Sequence, residues 1–189
     1  DYETVFDSSD SMGVLRASEK CNGSGDCRKG AQAGGTMCPS YMATREEKHT
    51  TRARANILRQ MLTEPADADN PFNSEEIKEV MDLCLSCKAC KSECPSSVDM
   101  TKLKAEFQQH YHESNGVPLR SRMVAHFADS ARLASFAPLL YNAFFKTPVL
   151  RRAANRLIGF HPDRSIPRLN RITLRRWFSG RTPLVPTRG

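Results

Sequence analysis

Cys84, Cys87, Cys90 and Cys94 are spaced C-x2-C-x2-C-x3-C, and Pro95 follows the last of them. Upstream, Cys21, Cys27 and Cys38 repeat part of the pattern, with Ser24 where a middle cysteine would fall and Pro39 after the last. All seven cysteines of the chain are thereby used. A thiolate run of this spacing wraps a cubane of iron and sulfide corner by corner. Soft sulfur donors suit such clusters, and delocalised charge lets one electron enter with little rearrangement. The chemistry implied is single-electron transfer. A disulfide framework fits poorly with an odd cysteine count, tight C-x2-C steps and no secretory signal. Zinc is the closer competitor, but zinc sites usually take two separated pairs, often with histidine.

The two cysteine groups form an internal repeat. Cys21 to Cys84 and Cys27 to Cys90 are each 63 positions apart, and the Cys-Pro-Ser triplets at Cys38 and Cys94 are 56 apart. In two-cluster proteins the cysteine before proline ligates the other half's cluster. On that rule Cys84, Cys87, Cys90 and Cys38 hold one 4Fe-4S cluster, and Cys21, Cys27 and Cys94 hold the second. Three thiolates suit a 3Fe-4S cluster; the alternative is a 4Fe-4S cluster whose fourth iron binds Ser24, Asp26, water or hydroxide. Cross-ligation couples metal binding to folding. Lys88 and Lys91 lie between ligands and read as solvated charges able to bias the potential. None of His49, His110, His112, His126 and His161 falls inside a cysteine group. They read as ordinary histidines, with His49 the nearest to Cys38.

These ligands need helices and close-turning loops to place them. Gly23, Gly25, Gly30, Gly34 and Gly35 let the first loop fold tightly around an inorganic group. Capping boxes are expected at Thr44/Glu47 and Asn73/Glu76, and Thr51 suits a helix restart. Ala53, Ile57, Met61 and Leu62 share one helical face, and Ile77, Val80 and Met81 open the helix that delivers Cys84. Asp99 caps a helix with Met100, Leu103, Phe107 and Tyr111 on one stripe, ending near Asn115-Gly116. Beyond Pro118, helices are expected at 119–135, 138–145 and 148–158, then a short basic segment at 172–178. Strand alternation is nearly absent, so the fold class is mostly α.

Hydrophobic residues make up 39% of the 189, and mean hydropathy is −0.53, typical of a soluble protein. The longest uncharged stretch, 133–145, contains Pro138 and is too short for a membrane span. The acidic start lacks a methionine and an apolar segment, which suggests a fragment of a larger polypeptide. Charge is split: residues 1–117 carry 14 Lys/Arg against 19 Asp/Glu, and 118–189 carry 14 against 2. The basic half reads as a solvated or partner-facing surface rather than a nucleic-acid site. The expected organisation is a linker at 1–18, a dicluster domain at 19–117, a basic helical extension at 118–180 and a Pro-rich linker at 181–189.

The stretch Glu19-Lys20-Cys21-Asn22-Gly23-Ser24-Gly25-Asp26-Cys27-Arg28-Lys29, with Met37-Cys38-Pro39-Ser40-Tyr41, resembles the iron–sulfur domain of large FAD-linked oxidoreductases. So do Thr51-Arg52-Ala53-Arg54-Ala55-Asn56, the run from Cys84 to Pro95, and Arg175-Arg176-Trp177-Phe178. These enzymes are similar to D-lactate and D-2-hydroxyglutarate dehydrogenases, and the likeness covers about 15–178. The cysteine arrangement also resembles the α-helical ferredoxin half of succinate dehydrogenase and fumarate reductase iron–sulfur subunits. The resemblance implies an α-helical ferredoxin-like domain with two pseudo-symmetric cluster sites.

It further implies an electron-transfer module that relays single electrons from FAD, held in an upstream domain, to a quinone, a cytochrome or a cysteine-rich domain. The substrate would be a D-2-hydroxy acid, and the fragment alone would not turn it over. The expected location is cytoplasmic, with peripheral membrane contact through 118–178. A second reading is a separate iron–sulfur subunit docking on a flavoprotein. A third is a zinc-stapled nucleic-acid-binding domain.

Overall fold

The computed structural model describes residues 3–65, 67 and 69–181. Among them are eleven α-helices, four short 3-10 turns and no strand. The chain divides into two compact units, one ending at Gly116 and the other starting at Val117.

The first unit contains α1 (Val14–Glu19), α2 (Pro39–Thr44), α3 (Thr51–Thr63), α4 (Glu75–Asp82), α5 (Ala89–Glu93) and α6 (Met100–Asn115). α3 is its spine, with α1, α4 and α6 packed against it. It starts at Thr50, whose hydroxyl accepts from the Ala53 N–H at 3.0 Å, and ends shortly before Pro65. The cap is therefore Thr50 rather than Thr51. Its buried stripe is Thr51, Arg54, Ala55, Leu58, Met61 and Leu62. Ala53 and Ile57 lie at the edge of that stripe, one step of the helix away from the expected face.

The capping box at Thr44 does not form. Thr44 closes α2, and its hydroxyl donates to the Ser40 carbonyl instead. α4 is capped by Ser74, one residue past Asn73. Asp99 caps α6 as expected, accepting from the Lys102 N–H at 3.1 Å. The stripe of α6 is the heart of the core: Met100, Leu103 and Phe107 are all but fully buried, each contributing roughly 1.5–3 kcal/mol by leaving water.

Residues ahead of the first cysteine are more ordered than an irregular linker. Val14 and Ser18 of α1 are buried, and the Val5 and Phe6 N–H groups donate to the two carboxylate oxygens of buried Glu106 at 2.8 and 2.9 Å. His110 bonds the same carboxylate at 2.9 Å and stacks on Phe72.

The second unit contains α7 (Leu119–Ala125), α8 (Phe127–Ala134), α9 (Pro138–Lys146), α10 (Pro148–Ile158) and α11 (Leu174–Ser179). The single helix expected over 119–135 is broken at His126. Its one buried side chain among the described residues is Asn155, whose amide donates to the His161, Pro162 and Arg164 carbonyls and pins the loop after α10. Many of its apolar side chains, Phe127, Leu133, Phe136, Leu140 and Trp177 among them, are exposed. The expected Pro-rich linker begins at Arg181, and its remainder lies outside the described residues.

Candidate metal centre

Cys38, from the first half of the chain, lines one small pocket with Cys84, Cys87 and Cys90, together with Thr51, Arg54, Lys88, Met100 and Thr101. Cys38 stands at the start of α2 with φ 55°, and Pro39 supplies the first helical position, where a missing N–H costs nothing. Ser86 and Lys88 also have positive φ, at 52° and 65°. The backbone between the ligands is thus turned through the left-handed region without a glycine, a conformation side chains usually avoid.

Two helix starts face this cavity. The Thr51 N–H of α3 donates to Cys38 Sγ at 3.1 Å, and Thr51 Oγ1 lies 2.9 Å from the same sulfur. The backbone of Met100 and Thr101, opening α6, lies beside Cys90 and favours its thiolate, while the Met100 N–H donates to the Val98 carbonyl at 3.1 Å. Burial pushes the Cys90 thiol up from its ordinary value. The Thr101 hydroxyl, on the cavity wall, is buried with no hydrogen-bond partner. An orphaned donor, two converging helix N-termini and four thiols fit a sulfur-rich anionic group.

Two cations are buried beside it. Arg54 donates to the Val80 carbonyl (3.0 Å), the His49 carbonyl (2.7 Å) and Ser40 Oγ (3.2 Å), all neutral acceptors. Lys104 donates to the Cys84 carbonyl at 2.7 Å. Burial pulls both below their ordinary pKa, and nearby negative charge opposes that pull: Cys84, Cys38 and Cys90 for Arg54, and Cys84 and Asp82 for Lys104. The sequence reading passed over both residues. The signal was there, since Arg54 and Lys104 each occupy a position on an otherwise buried helical stripe.

The upstream group is arranged differently. Cys27 is buried, Cys21 and Cys94 are half-buried, and Ser24 is exposed. The neighbouring Cys38 thiol holds Cys27 down to about 6, helped by the Arg52 backbone and Thr50, and Cys38 itself is pushed up. Cys38, which lines the downstream pocket, therefore also lies close to Cys27 of the upstream group. Asp26, a candidate fourth ligand, is engaged with Lys29 at 3.0 Å. Arg52, near Cys21 and Cys27, is held by Glu47 at 2.7 Å.

The two halves are tied by Glu93, the residue before Cys94. Its carboxylate accepts from the Thr36 N–H, the Thr36 hydroxyl and the Met37 N–H at 2.7–3.0 Å, just ahead of Cys38. Gly35 makes room: with φ 82°, a Cβ there would sit 2.5 Å from the Glu93 carboxylate.

His49 is buried and serves the fold. The Thr44 hydroxyl gives its only proton to Ser40, so it accepts from His49 Nδ1 at 2.8 Å, and burial lowers the His49 pKa. Lys91 pairs with Asp99 at 3.3 Å and, like Lys88, is exposed. Among the described residues no three His, Cys, Asp or Glu side chains converge tightly enough for a single metal ion. A multi-iron cluster sets its thiolates around a larger body.

A helical scaffold with seven unpaired cysteines in two linked groups defines an iron–sulfur protein. The family described as "4Fe-4S dicluster domain" matches residues 20–99. The chain is 30% identical to D-2-hydroxyglutarate dehydrogenase of Escherichia coli (strain K12), over 82% of this chain and 18% of that protein. It is 29% identical to the enzyme of that name from Pantoea ananatis (87% of this chain, 19% of that protein). It is 27% identical to a probable glycolate oxidase iron-sulfur subunit of Bacillus subtilis (46% of this chain, 19% of that protein). The chain thus spans about a fifth of the length of these relatives. No solved structure matches it. Residues 20–99 thus match a 4Fe-4S dicluster domain, and most of the chain is similar to a part of D-2-hydroxyglutarate dehydrogenases.

Proposed function

We propose that the chain is the electron-transfer module of a larger FAD-linked oxidoreductase acting on a D-2-hydroxy acid of the D-lactate or D-2-hydroxyglutarate type. The observation that carries this reading is the shared cavity of Cys38, Cys84, Cys87 and Cys90. These four thiolates hold one 4Fe-4S cluster, and Cys21, Cys27 and Cys94 hold the second, of three or four irons. When bound, such clusters accept and release electrons one at a time, which connects a two-electron flavin to a one-electron acceptor. The protein's own part is to supply thiolates, to aim the Thr51 N–H at sulfur, to set the start of α6 beside Cys90, and to keep water from the buried side of the site.

The relatives' names support the substrate class, and the named glycolate oxidase subunit supports a second arrangement, in which the module is a separate chain docking on its flavoprotein. No helix among the described residues is long and apolar enough to cross a membrane. The exposed apolar side chains and the cations of 118–178 fit contact with a partner domain or with a membrane surface, cytoplasmic in this reading.

Anaerobic purification with iron, sulfide and zinc analysis tests the proposal, followed by titration with photoreduced FAD under EPR. Two clusters per chain, each taking one electron from the reduced flavin, are expected. A colourless protein holding zinc and no sulfide overturns it.

A further inference from the structure

Arg54 and Lys104 present an electrostatic problem. A buried cation without an anionic partner costs several kcal/mol, so native proteins pair it. Arg54 is 2% exposed and Lys104 7% exposed, yet every hydrogen bond either makes goes to a neutral oxygen. Neither makes an ion pair with a carboxylate within 4 Å among the described residues, and the one carboxylate close enough to favour the Lys104 charge is Asp82. What they share is a position: Arg54 lines the cavity of Cys38, Cys84, Cys87 and Cys90, and Lys104 is bonded to the backbone of Cys84. The missing anion is the thiolate-bound cluster itself.

We propose that Arg54 and Lys104 are the built-in countercharges of the cluster at Cys38, Cys84, Cys87 and Cys90, and that they selectively raise its reduction potential. The inference rests on the ligand set proposed above. Each electron gained at this site adds one negative charge facing the two cations in a water-poor wall, where Coulomb terms are weakly screened. Reduction is therefore favoured there. The other site lacks this device: Arg52 beside Cys21 and Cys27 is already paired with Glu47, and Lys29 with Asp26, at the surface. A partnered, hydrated cation contributes little. The basicity of one site is thus structural, and that of the other is cancelled.

The test is potentiometric titration, followed by EPR, of the 189-residue chain reconstituted anaerobically, with the second cluster as internal control. Lys104→Met is expected to weaken electron affinity at one cluster at least tenfold, about 59 mV for a one-electron couple, and to move the other less than threefold. Lys104→Arg, which keeps the charge, stays within threefold of the wild type. Arg54→Gln and Arg54→Lys are read the same way. If the neutral variants fail to assemble, loading of the charge-keeping ones at the native potential supports the inference, and their loss overturns it by showing a need for shape. Equal shifts at both clusters, or none, also overturn it. A wild-type chain that takes up no iron and sulfide defeats the ligand assignment instead, so the two failures are distinct.

Discussion

The two cysteine groups solve one geometric problem with different materials. Around Cys21 and Cys27 the chain turns on glycines, Gly23, Gly25, Gly34 and Gly35, all at positive φ. Around Cys84, Cys87 and Cys90 it turns on Ser86 and Lys88, two exposed side-chain-bearing residues in the same left-handed region. The first group is edged by surface ion pairs, and the second is backed by unpaired buried cations and two helix N-termini. The lesson is that pseudo-symmetry of ligands does not carry over to electrostatics. One site is edged by paired charges, and the other is backed by buried cations.

The largest effect is expected at the residue that lies close to both groups. Cys38→Ala should remove about half of the bound iron and abolish the signal of the cluster backed by Arg54, whereas Cys27→Ala removes the other cluster. Iron and sulfide analysis with EPR reads the result. Loss of the upstream cluster in Cys38→Ala would reverse the allocation and promote the Cys27–Cys38 contact to a shared ligand pair. Next, Ser24→Cys supplies the thiolate missing from the gapped run. If that site holds three irons, the variant gains one iron per chain and loses the near-isotropic EPR signal of the oxidised state. A wild type without that signal settles the site as four-iron.

Smaller effects probe the walls. His49, whose carbonyl receives Arg54, is held neutral, so its folded pKa lies below its unfolded value of 6.5. Protonation then favours the unfolded chain: its contribution is complete above that value and is lost as pH falls through it toward the folded pKa. Urea midpoints between pH 7.5 and 5.5 should decline for the wild type and stay flatter for His49→Gln. Ser86→Gly relieves a left-handed serine and should stabilise the chain by up to about 1 kcal/mol, read in the same urea titration. Smallest of all, Arg52→Gln should move the potential of the upstream cluster less than threefold, since Glu47 already cancels that charge. A tenfold shift there would erase the contrast between the sites.

Much of this was legible along the chain. The Asp99 cap, the Met100, Leu103 and Phe107 stripe, and the helices starting at Pro138 and Pro148 follow from local rules and form as expected. Caps chosen one residue away, Thr51 for Thr50 and Asn73 for Ser74, show where two adjacent polar residues compete for one N-terminus. The order in α1 was not readable, because its six residues gain their helix from packing on α3 rather than from periodicity.

By itself the sequence determined the cofactor chemistry, since thiolate spacing is a local property and cluster geometry tolerates few alternatives. Only the tertiary structure decided the setting of each thiolate. It placed Arg54 and Lys104 behind one site, tied Glu93 across to Thr36 and Met37, and left Arg52 neutralised at the other. The physical reason is that a charge acts through its burial and its partners, and neither exists until distant helices pack together.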